Sequence, residues 1–84
     1  MNRYYYLSYD EFNLLDLFGL VKFVVSVPSD CFESLYVNVI PYDRIDELVR
    51  VVYSRKNKSG KLYKKLVSFV NRLEDILEKN PDIC

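Results

Sequence analysis

The 84-residue sequence contains no histidine, and this absence excludes a large part of enzyme chemistry. Histidine is the side chain that titrates near neutral pH without any perturbation, and it is the commonest metal ligand in proteins. Catalysis by a Ser-His-Asp or Cys-His arrangement is therefore impossible within one chain. The two cysteines cannot complete a structural zinc site unless carboxylates or a second chain supply ligands. We expect a protein that is not an enzyme and that carries no metal or other cofactor.

The absence of alanine accompanies six Asn, eight Tyr and seven Lys residues. Alanine codons are rich in G and C, whereas the codons of Asn, Tyr and Lys are rich in A and T. The composition therefore favours an AT-rich genome, such as that of a small archaeon or a virus.

An excess of charge of either sign is also missing, because 12 basic residues balance 12 acidic residues. A histone-like protein that binds nucleic acid without sequence preference is normally strongly basic. Half of the residues are hydrophobic and 29% are charged, which is the balance of a globular protein. The length leaves room for one small domain over residues 1–84.

Cysteine is scarce, with only Cys31 and Cys84 in the chain. A secreted scaffold of this length usually carries roughly four to eight cysteines. Cys31 follows Asp30 and lies near Glu33, whose charges disfavour the thiolate, so we expect no nucleophilic role for this thiol. Reduced thiols in an intracellular protein are the expectation, and a bridge between the two cysteines is the alternative.

Long hydrophobic runs are absent as well. The most apolar stretch, residues 14–27, is interrupted by Asp16 and Lys22 and is too short to span a bilayer. Asp10 and Glu11 precede any apolar segment, so no signal peptide is predicted. We therefore expect no membrane contact and a cytoplasmic location, in the host cytoplasm if the source is a virus.

The first quarter of the chain predicts a strand and a capped helix. Aromatic residues favour a strand at Tyr4–Leu7. Ser8 and Glu11 form the pattern of a capping box, in which the side chain of each residue bonds to the backbone N–H of the other. A helix at Tyr9–Phe18 follows, and Gly19 is placed to end it in the left-handed conformation. Apolar side chains surround most of this helix, which we therefore expect to be largely buried: Phe12, Leu14, Leu15, Leu17 and Phe18.

Alternating apolar residues predict two further strands, at 20–27 and 35–40. Four residues of the first of these share one face by the period of two: Val21, Phe23, Val25 and Val27. A turn is indicated at 28–30 by Pro, Ser and Asp. The two strands are expected to pair as an antiparallel hairpin across a loop of about six residues.

A second helix is predicted after Pro41, which ends the third strand. Asp43 can cap this helix, and Asp46 and Glu47 fall in its first turn, where negative charge is favourable. Apolar residues then follow at the spacing of one helix face: Ile45, Leu48, Val49 and Val52. The β-forming residues at 48–54 leave a strand as the alternative there.

A long C-terminal helix is predicted from Lys61 to about Lys79, after a polar break in which Ser59 can act as the N-cap. The apolar residues of this helix cover nearly half of its circumference, which is wider than contact with one surface requires. We expect it to touch the sheet and, in addition, either the second helix or a second subunit. The residues assigned to a homodimer interface are Leu62, Tyr63, Leu66, Phe69, Val70, Leu73 and Leu77.

The predicted order of elements is β-α-β-β-α-α. A right-handed crossover places the first strand parallel to the second, and the third strand can lie between them, antiparallel to both. The predicted fold class is therefore α/β (α+β): a three-stranded sheet covered by helices. It is a ferredoxin-like split unit that lacks the fourth strand and has a long C-terminal helix instead.

Basic residues are concentrated near residues 55–65 although the net charge is zero. Lysines beside a helix N-terminus can hold phosphates. The residues assigned to binding of nucleic acid or of an acidic protein partner are Arg55, Lys56, Lys58, Lys61, Lys64, Lys65 and Arg72. Lysine outnumbers arginine in this set, so binding would be weakly sequence-selective. A solvated turn without a ligand is the alternative.

Tyrosines could form a platform on which bases stack. Consecutive residues of a strand point to opposite faces, however, so packing within the fold is the competing explanation. The residues concerned are Tyr4, Tyr5, Tyr6, Tyr9 and Tyr36.

These observations favour a small non-enzymatic protein that acts by protein–protein interaction, as a homodimer and with a protein partner that the sequence does not identify. The alternative is a nucleic-acid-binding protein that uses the basic segment at 55–65.

Overall fold

The fold consists of a three-stranded sheet and three α-helices, seen in a computed structural model that describes residues 4–29 and 35–79. Two short 3₁₀ turns lie between these elements, at Val21–Phe23 and Tyr42–Arg44. The strands and helices are β1 (Tyr4–Tyr6), α1 (Tyr9–Leu17), β2 (Val25–Pro28), β3 (Tyr36–Pro41), α2 (Ile45–Tyr53) and α3 (Lys61–Lys79).

The sheet has the order β1-β3-β2, with the last strand in sequence at its centre. β3 is antiparallel to both neighbours, so β1 and β2 run parallel to each other. This confirms the predicted α+β fold and its strand arrangement, which is that of a ferredoxin-like split unit without the fourth strand. It also confirms the antiparallel pairing of β2 with β3.

Local capping signals define both ends of α1 as predicted. The Ser8 hydroxyl accepts a hydrogen bond from the backbone N–H of Glu11 at 3.2 Å, and the Glu11 carboxylate accepts one from the backbone N–H of Ser8 at 2.8 Å. Gly19 follows the helix with φ of +68°, a conformation that side chains with a Cβ rarely adopt. The capping box and the glycine stop are therefore both confirmed.

The expectation that α1 is largely buried is wrong. Leu15 is its only fully buried residue among those described, and Leu17 is 67% exposed. The reason is that α1 lies at the periphery, where its contact with α3 is much smaller than the contact between α2 and α3. Phe12, Leu14 and Phe18 are half-buried.

The predicted strand at 20–27 is wrong in its first half. The backbone N–H of Leu20 donates to the carbonyl of Leu15 at 2.9 Å, and the N–H of Val24 donates to the carbonyl of Val21 at 2.9 Å. These bonds close a tight turn directly after α1, so the strand begins only at Val25. The turn places Leu20 and Phe23 in the core, where each is 3% exposed.

The start of α2 also differs from the prediction. The chain makes a 3₁₀ turn after Pro41, so the helix begins at Ile45 and the N-cap position falls on Arg44, whose side chain makes no capping hydrogen bond. Asp43 is therefore not the N-cap. The strand alternative at 48–54 is excluded for residues 48–53, which are helical, and the four apolar residues predicted for one face are all buried: Ile45, Leu48, Val49 and Val52.

Helix α3 has the predicted bounds and contributes the largest share of the core. Ser59 is not its N-cap, because the helix begins at Lys61 and the preceding position is Gly60. The Ser59 hydroxyl donates to the Asn57 side chain. The buried residues of α3 contact α2 and the helix-facing side of the sheet. The Tyr63 hydroxyl donates to the carbonyl of Val52 at 3.0 Å, and the ring of Phe69 meets the ring of Tyr5 edge-on at 5.8 Å.

A polar network connects β1, α1 and α3 above this core. The Tyr5 hydroxyl donates to Glu11 Oε2 at 2.7 Å, and Arg72 Nη2 lies 3.5 Å from the same oxygen. Burial of the phenol, together with its hydrogen bond to the Glu11 carboxylate, raises the pKa of Tyr5 to about 12 from an ordinary value of 10.0. The folded protein therefore favours the neutral phenol.

Removal of this phenol should change how stability depends on alkaline pH. Because the folded pKa is raised, the contribution of Tyr5 is complete below pH 10 and is lost as the pH rises through about 12. We expect the stability difference between wild type and Tyr5→Phe, measured by urea unfolding, to shrink between about pH 8 and about pH 11. The exposed Tyr9 provides a matched Tyr9→Phe control. A difference for Tyr5→Phe that is equal at both pH values would contradict this assignment.

Candidate functional site

One face of the sheet points away from the helices and is built almost entirely from apolar side chains. Residues that pair directly across antiparallel strands lie on the same face. Tyr6 and Val25 both pair with Val39, one on each side, and these three therefore form a row across the sheet. With the alternate residues of each strand they form the outer face: Tyr4, Tyr6, Val25, Val27, Val37, Val39 and Pro41.

The opposite face carries the helices. Tyr5 pairs with Ile40, and both contact the core that α2 and α3 complete. Towards the hairpin end this face becomes polar and exposed, where the Ser26 hydroxyl donates to the Asn38 side chain at 3.1 Å. In the described part of the chain, no residue of the outer face belongs to that helix-side core.

The outer face has no charged residue and exposes large side chains. Tyr4 is 36% exposed and Tyr6 is 44% exposed, while Val39 at the centre is fully buried. The remaining valines are half-buried. Contact with another apolar surface would remove these side chains from water, and such burial is favourable by about 25 cal/mol per Å².

Sequence reasoning missed this face because it placed Val25 and Val27 on the same side as Phe23. That inference requires an unbroken strand, and the turn at Val21–Phe23 interrupts it. Phe23 enters the core, whereas Val25 and Val27 point outward. The signal in the sequence was the alternation of these polar residues with valines. Ser26 and Asn38 pair on the helix side, so the valines next to them in each strand must share the other face.

The residues assigned to a dimer interface on α3 lie mostly inside the protomer. Five of them are buried in its own core: Tyr63, Leu66, Phe69, Val70 and Leu73. Leu77 is half-buried against the same core, and only Leu62 is exposed, at 46%. The wide apolar arc of α3 is thus filled by contacts within the chain, so an interface centred on this stripe would require the core to open.

Two of the basic residues assigned to phosphate binding make contacts within the fold. The Arg55 guanidinium lies 4.9 Å from the centre of the Phe18 ring, and its Nη1 is 3.5 Å from the Phe18 carbonyl oxygen. Arg72 pairs with Glu11. Both arginines therefore stabilise the position of α1, and neither is a free cation.

The lysines of that segment are placed differently. Among the described residues, none of them forms an ion pair, and all are exposed. The first turn of α3 contains no acidic residue, so its positive helix end is surrounded by further positive charge. We call this set the lysine turn: Lys56, Lys58, Lys61, Lys64 and Lys65.

The tyrosines do not form one platform. Tyr4 and Tyr6 lie on the outer face, Tyr5 and Tyr36 lie on the opposite face, and Tyr9 is exposed at the start of α1. Cys31 and Cys84 fall outside the described residues, so the expectations for the thiols stay untested.

Residues 4–29 and 35–79 contain neither a metal-ion cluster nor a membrane-spanning helix. Within residues 4–29 and 35–79, no three His, Cys, Asp or Glu side chains are grouped so that they could hold a metal ion. None of the helices in this part of the chain combines the length and the apolar character of a membrane span. Comparisons of the chain with protein-family models, curated proteins and solved structures gave no match.

Mutation of Arg55 should lower the stability of the protein more than mutation of the neighbouring Lys56. Arg55→Ala removes the contact with Phe18, so we expect a loss of about 1–2 kcal/mol in the free energy of unfolding. Lys56→Ala, the matched control at the next residue, should change it by less than about 0.5 kcal/mol. Chemical denaturation measures both. Equal effects would show that Arg55 does not hold α1 in place.

Proposed function

We propose that this chain is a non-enzymatic protein that acts in the cytoplasm by binding another protein through the outer face of its sheet. The observation that supports the proposal is the absence of charge from that face, together with the exposure of Tyr4 and Tyr6. Exposed apolar patches are typical of protein contact surfaces. Tyrosine in particular is enriched at such interfaces.

The size of the chain supports the same proposal. A domain of this length buries only about 60% of the surface that its unfolded chain exposes, so its stability is marginal. A partner that binds only the folded form adds to that stability by mass action. Contact at the outer face would supply burial that three helices on one side of the sheet do not provide.

A capture experiment with adjacent residues of β2 tests the proposal. Val27 lies on the outer face and Ser26 on the opposite face, and each can be replaced by Lys. Tagged wild-type chain and both variants are expressed in the native cell, and the lysate is treated with nuclease before purification. We expect Ser26→Lys to retain the same protein as wild type and Val27→Lys to lose it by at least about tenfold, because a charge placed in an apolar contact must be desolvated.

The stability of both variants is measured by circular dichroism, so that loss of binding can be separated from unfolding. Retention of every captured protein by a folded Val27→Lys variant would contradict the proposal. The same conclusion would follow if the wild-type chain captured no protein and did not associate with itself.

A second function, binding of nucleic acid, is favoured by one specific observation. The lysine turn includes residues just before α3 and in its first turns. The N-terminus of the helix is itself positive, and its first turn contains no acidic residue that would balance the lysines. An anion such as a phosphate group would relieve this repulsion. Arg55 and Arg72 do not take part, because both contact other residues of the fold.

Four lysine-to-serine changes test this second function. If Lys56, Lys58, Lys61 and Lys65 each contact a phosphate, the log–log dependence of affinity on salt should have a slope of about −3 to −4. The fourfold Ser variant should flatten this slope and weaken all sequences about equally, whereas a Lys22→Ser control should not. Fluorescence anisotropy with labelled single- and double-stranded DNA and RNA gives both quantities. Absence of binding at about 150 mM salt, where charges more than roughly 8 Å apart are screened, would exclude nucleic acid as the partner.

A further inference from the structure

We infer that the partner protein binds at the outer face by adding a strand to the sheet, with one of its extended segments paired along the free edge of β2. The inference rests on the proposed function, because it states which kind of segment that surface takes and how the segment is held. Three features of β2 support it: the backbone groups on its free edge, the side chains beside that edge, and the charges near its first residue.

The backbone groups of β2 face in two directions, because this strand lies at an edge of the sheet. The N–H of Ser29 donates to the carbonyl of Leu35, just before β3, at 2.8 Å, so residue 29 faces β3. Backbone groups alternate along a strand between its two edges, so Val25 and Val27 face β3 as well. The groups of residues 24, 26 and 28 therefore form the free edge.

This free edge presents three hydrogen-bond acceptors and one donor. Pro28 has no N–H, and the N–H of Val24 already donates to the carbonyl of Val21 at 2.9 Å. The N–H of Ser26 is therefore the donor, and the carbonyl oxygens of residues 24, 26 and 28 are the acceptors. Within residues 4–29 and 35–79, these four groups have no hydrogen-bond partner. An unpaired row of this kind is a template on which another chain can pair.

The backbone of an extended segment matches this row, as it does where a peptide adds a strand to a sheet. The segment must offer N–H groups at three alternate positions, so it has no proline there. A second β2 does not meet this requirement, because along this row each copy has only the N–H of Ser26 to donate. Two copies would leave four of their six carbonyl oxygens unpaired in the contact, and such groups are costly to bury. The occupant is therefore a segment of a different protein.

The side chains of β2 define the sequence pattern of that segment. Val25 and Val27 lie on the outer face, whereas the Ser26 side chain points to the other face, where its hydroxyl donates to Asn38 at 3.1 Å. Paired residues of neighbouring strands share a face. The segment therefore places apolar residues beside the two half-buried valines and a polar residue beside Ser26. This contact extends the outer face sideways and needs no access to Val39, which is already fully buried.

The charges near the first residue of β2 select the direction of the segment. A cleft of about 260 Å³ at the turn that leads into β2 is lined by Lys22, Phe23, Arg44 and Glu47, so two cations face one anion. The Arg44 guanidinium donates to the carbonyl of Lys22 at 3.3 Å, which keeps the second cation beside the first. A segment antiparallel to β2 brings its C-terminal end towards this cleft. We therefore expect antiparallel pairing and an acidic residue at that end.

NMR titration of the purified, isotope-labelled chain with a designed peptide tests the inference without any other protein present. The probe is the capped peptide KTVTVTE, whose threonines fall opposite residues 24, 26 and 28 when its glutamate lies at the cleft. We expect a dissociation constant of about 1 mM or lower, from four backbone hydrogen bonds and the contacts of two valines. Amide exchange of Ser26 should slow by at least about tenfold, whereas Val25 and Val27 are protected with or without peptide because they bond to β3.

Methylation of the peptide backbone provides matched controls. Methyl groups on the three threonine nitrogens remove the donors that face β2, whereas methyl groups on the two valine nitrogens lie on the opposite edge. The first peptide should bind at least about tenfold more weakly than KTVTVTE, and the second within about threefold. Equal binding by the two methylated peptides, or an unchanged exchange rate of Ser26, would overturn the inference. Absence of binding of KTVTVTE at about 5 mM, well above the expected dissociation constant, would also overturn it.

Two substitutions at Ser26 test the same contact from the side of the protein. Ser26→Pro removes the donor but leaves the bonds to β3 in place, because this N–H faces away from β3. Ser26→Ala keeps the N–H and is the matched control. We expect Ser26→Pro to weaken binding of KTVTVTE by at least about fivefold and Ser26→Ala by less than about twofold. Equal binding by both variants, shown to be folded by circular dichroism, would contradict the inference; if Ser26→Pro does not fold, the methylated peptides decide.

Exchange of the two end residues of the peptide tests the direction of pairing. ETVTVTK should bind at least about threefold more weakly than KTVTVTE, because its lysine then lies at the cleft that holds Lys22 and Arg44. Equal binding of the two peptides would contradict the antiparallel direction.

The results separate this inference from the proposed function. If the peptide does not bind but Val27→Lys still loses a captured protein, strand addition is wrong and the surface is right. If the peptide binds and Ser26→Pro loses the captured protein as well, both proposals stand. If neither peptide nor protein binds, both fail.

Discussion

Helix α3 occupies one side of a three-stranded sheet, and this contact determines the rest of the structure. Its buried side chains include Leu66 and Phe69, which contact α2 and the helix side of the sheet together with Tyr5 and Ile40. Because α1 and α2 pack on the same side, no described helix remains for the other face. The distribution of apolar residues on the sheet reflects this, since valines point outward where the helices are absent.

The polar contacts of the fold follow from the same arrangement. Glu11 accepts hydrogen bonds from the α1 capping box and from Tyr5, and it pairs with Arg72 on α3. Arg55 contacts Phe18 at the other end of α1. These interactions fix a peripheral helix that has one fully buried residue, and they explain why Arg55 and Arg72 are not free. The lysines that remain make a second, separate surface.

Sequence reasoning succeeded where a local rule determines the outcome. The capping of α1 was predictable because Ser8, Glu11 and Gly19 act through the backbone of their own helix. The buried face of α2 was predictable because the spacing of its apolar residues alone shows which side faces the core. Sequence reasoning failed where an outcome depends on the whole fold. The turn at Val21–Phe23 changes which residues share a face, so the outward valines could not be recognised. The wide apolar arc of α3 indicates only that another surface covers this helix. The spacing of its apolar residues cannot show whether that surface belongs to the same chain or to a second subunit.

The central claim is that the outer face is a contact surface, and its solvent exposure can be measured directly. Methyl groups of Val25, Val27 and Val37 are observed by NMR in the presence of a soluble gadolinium chelate, before and after addition of the protein that the wild-type chain captures. If the outer face is the contact surface, the paramagnetic relaxation of these methyls falls when the captured protein is added, while that of the exposed Leu62 stays constant. Unchanged relaxation of the three valines, or protection of Leu62 instead, would contradict it.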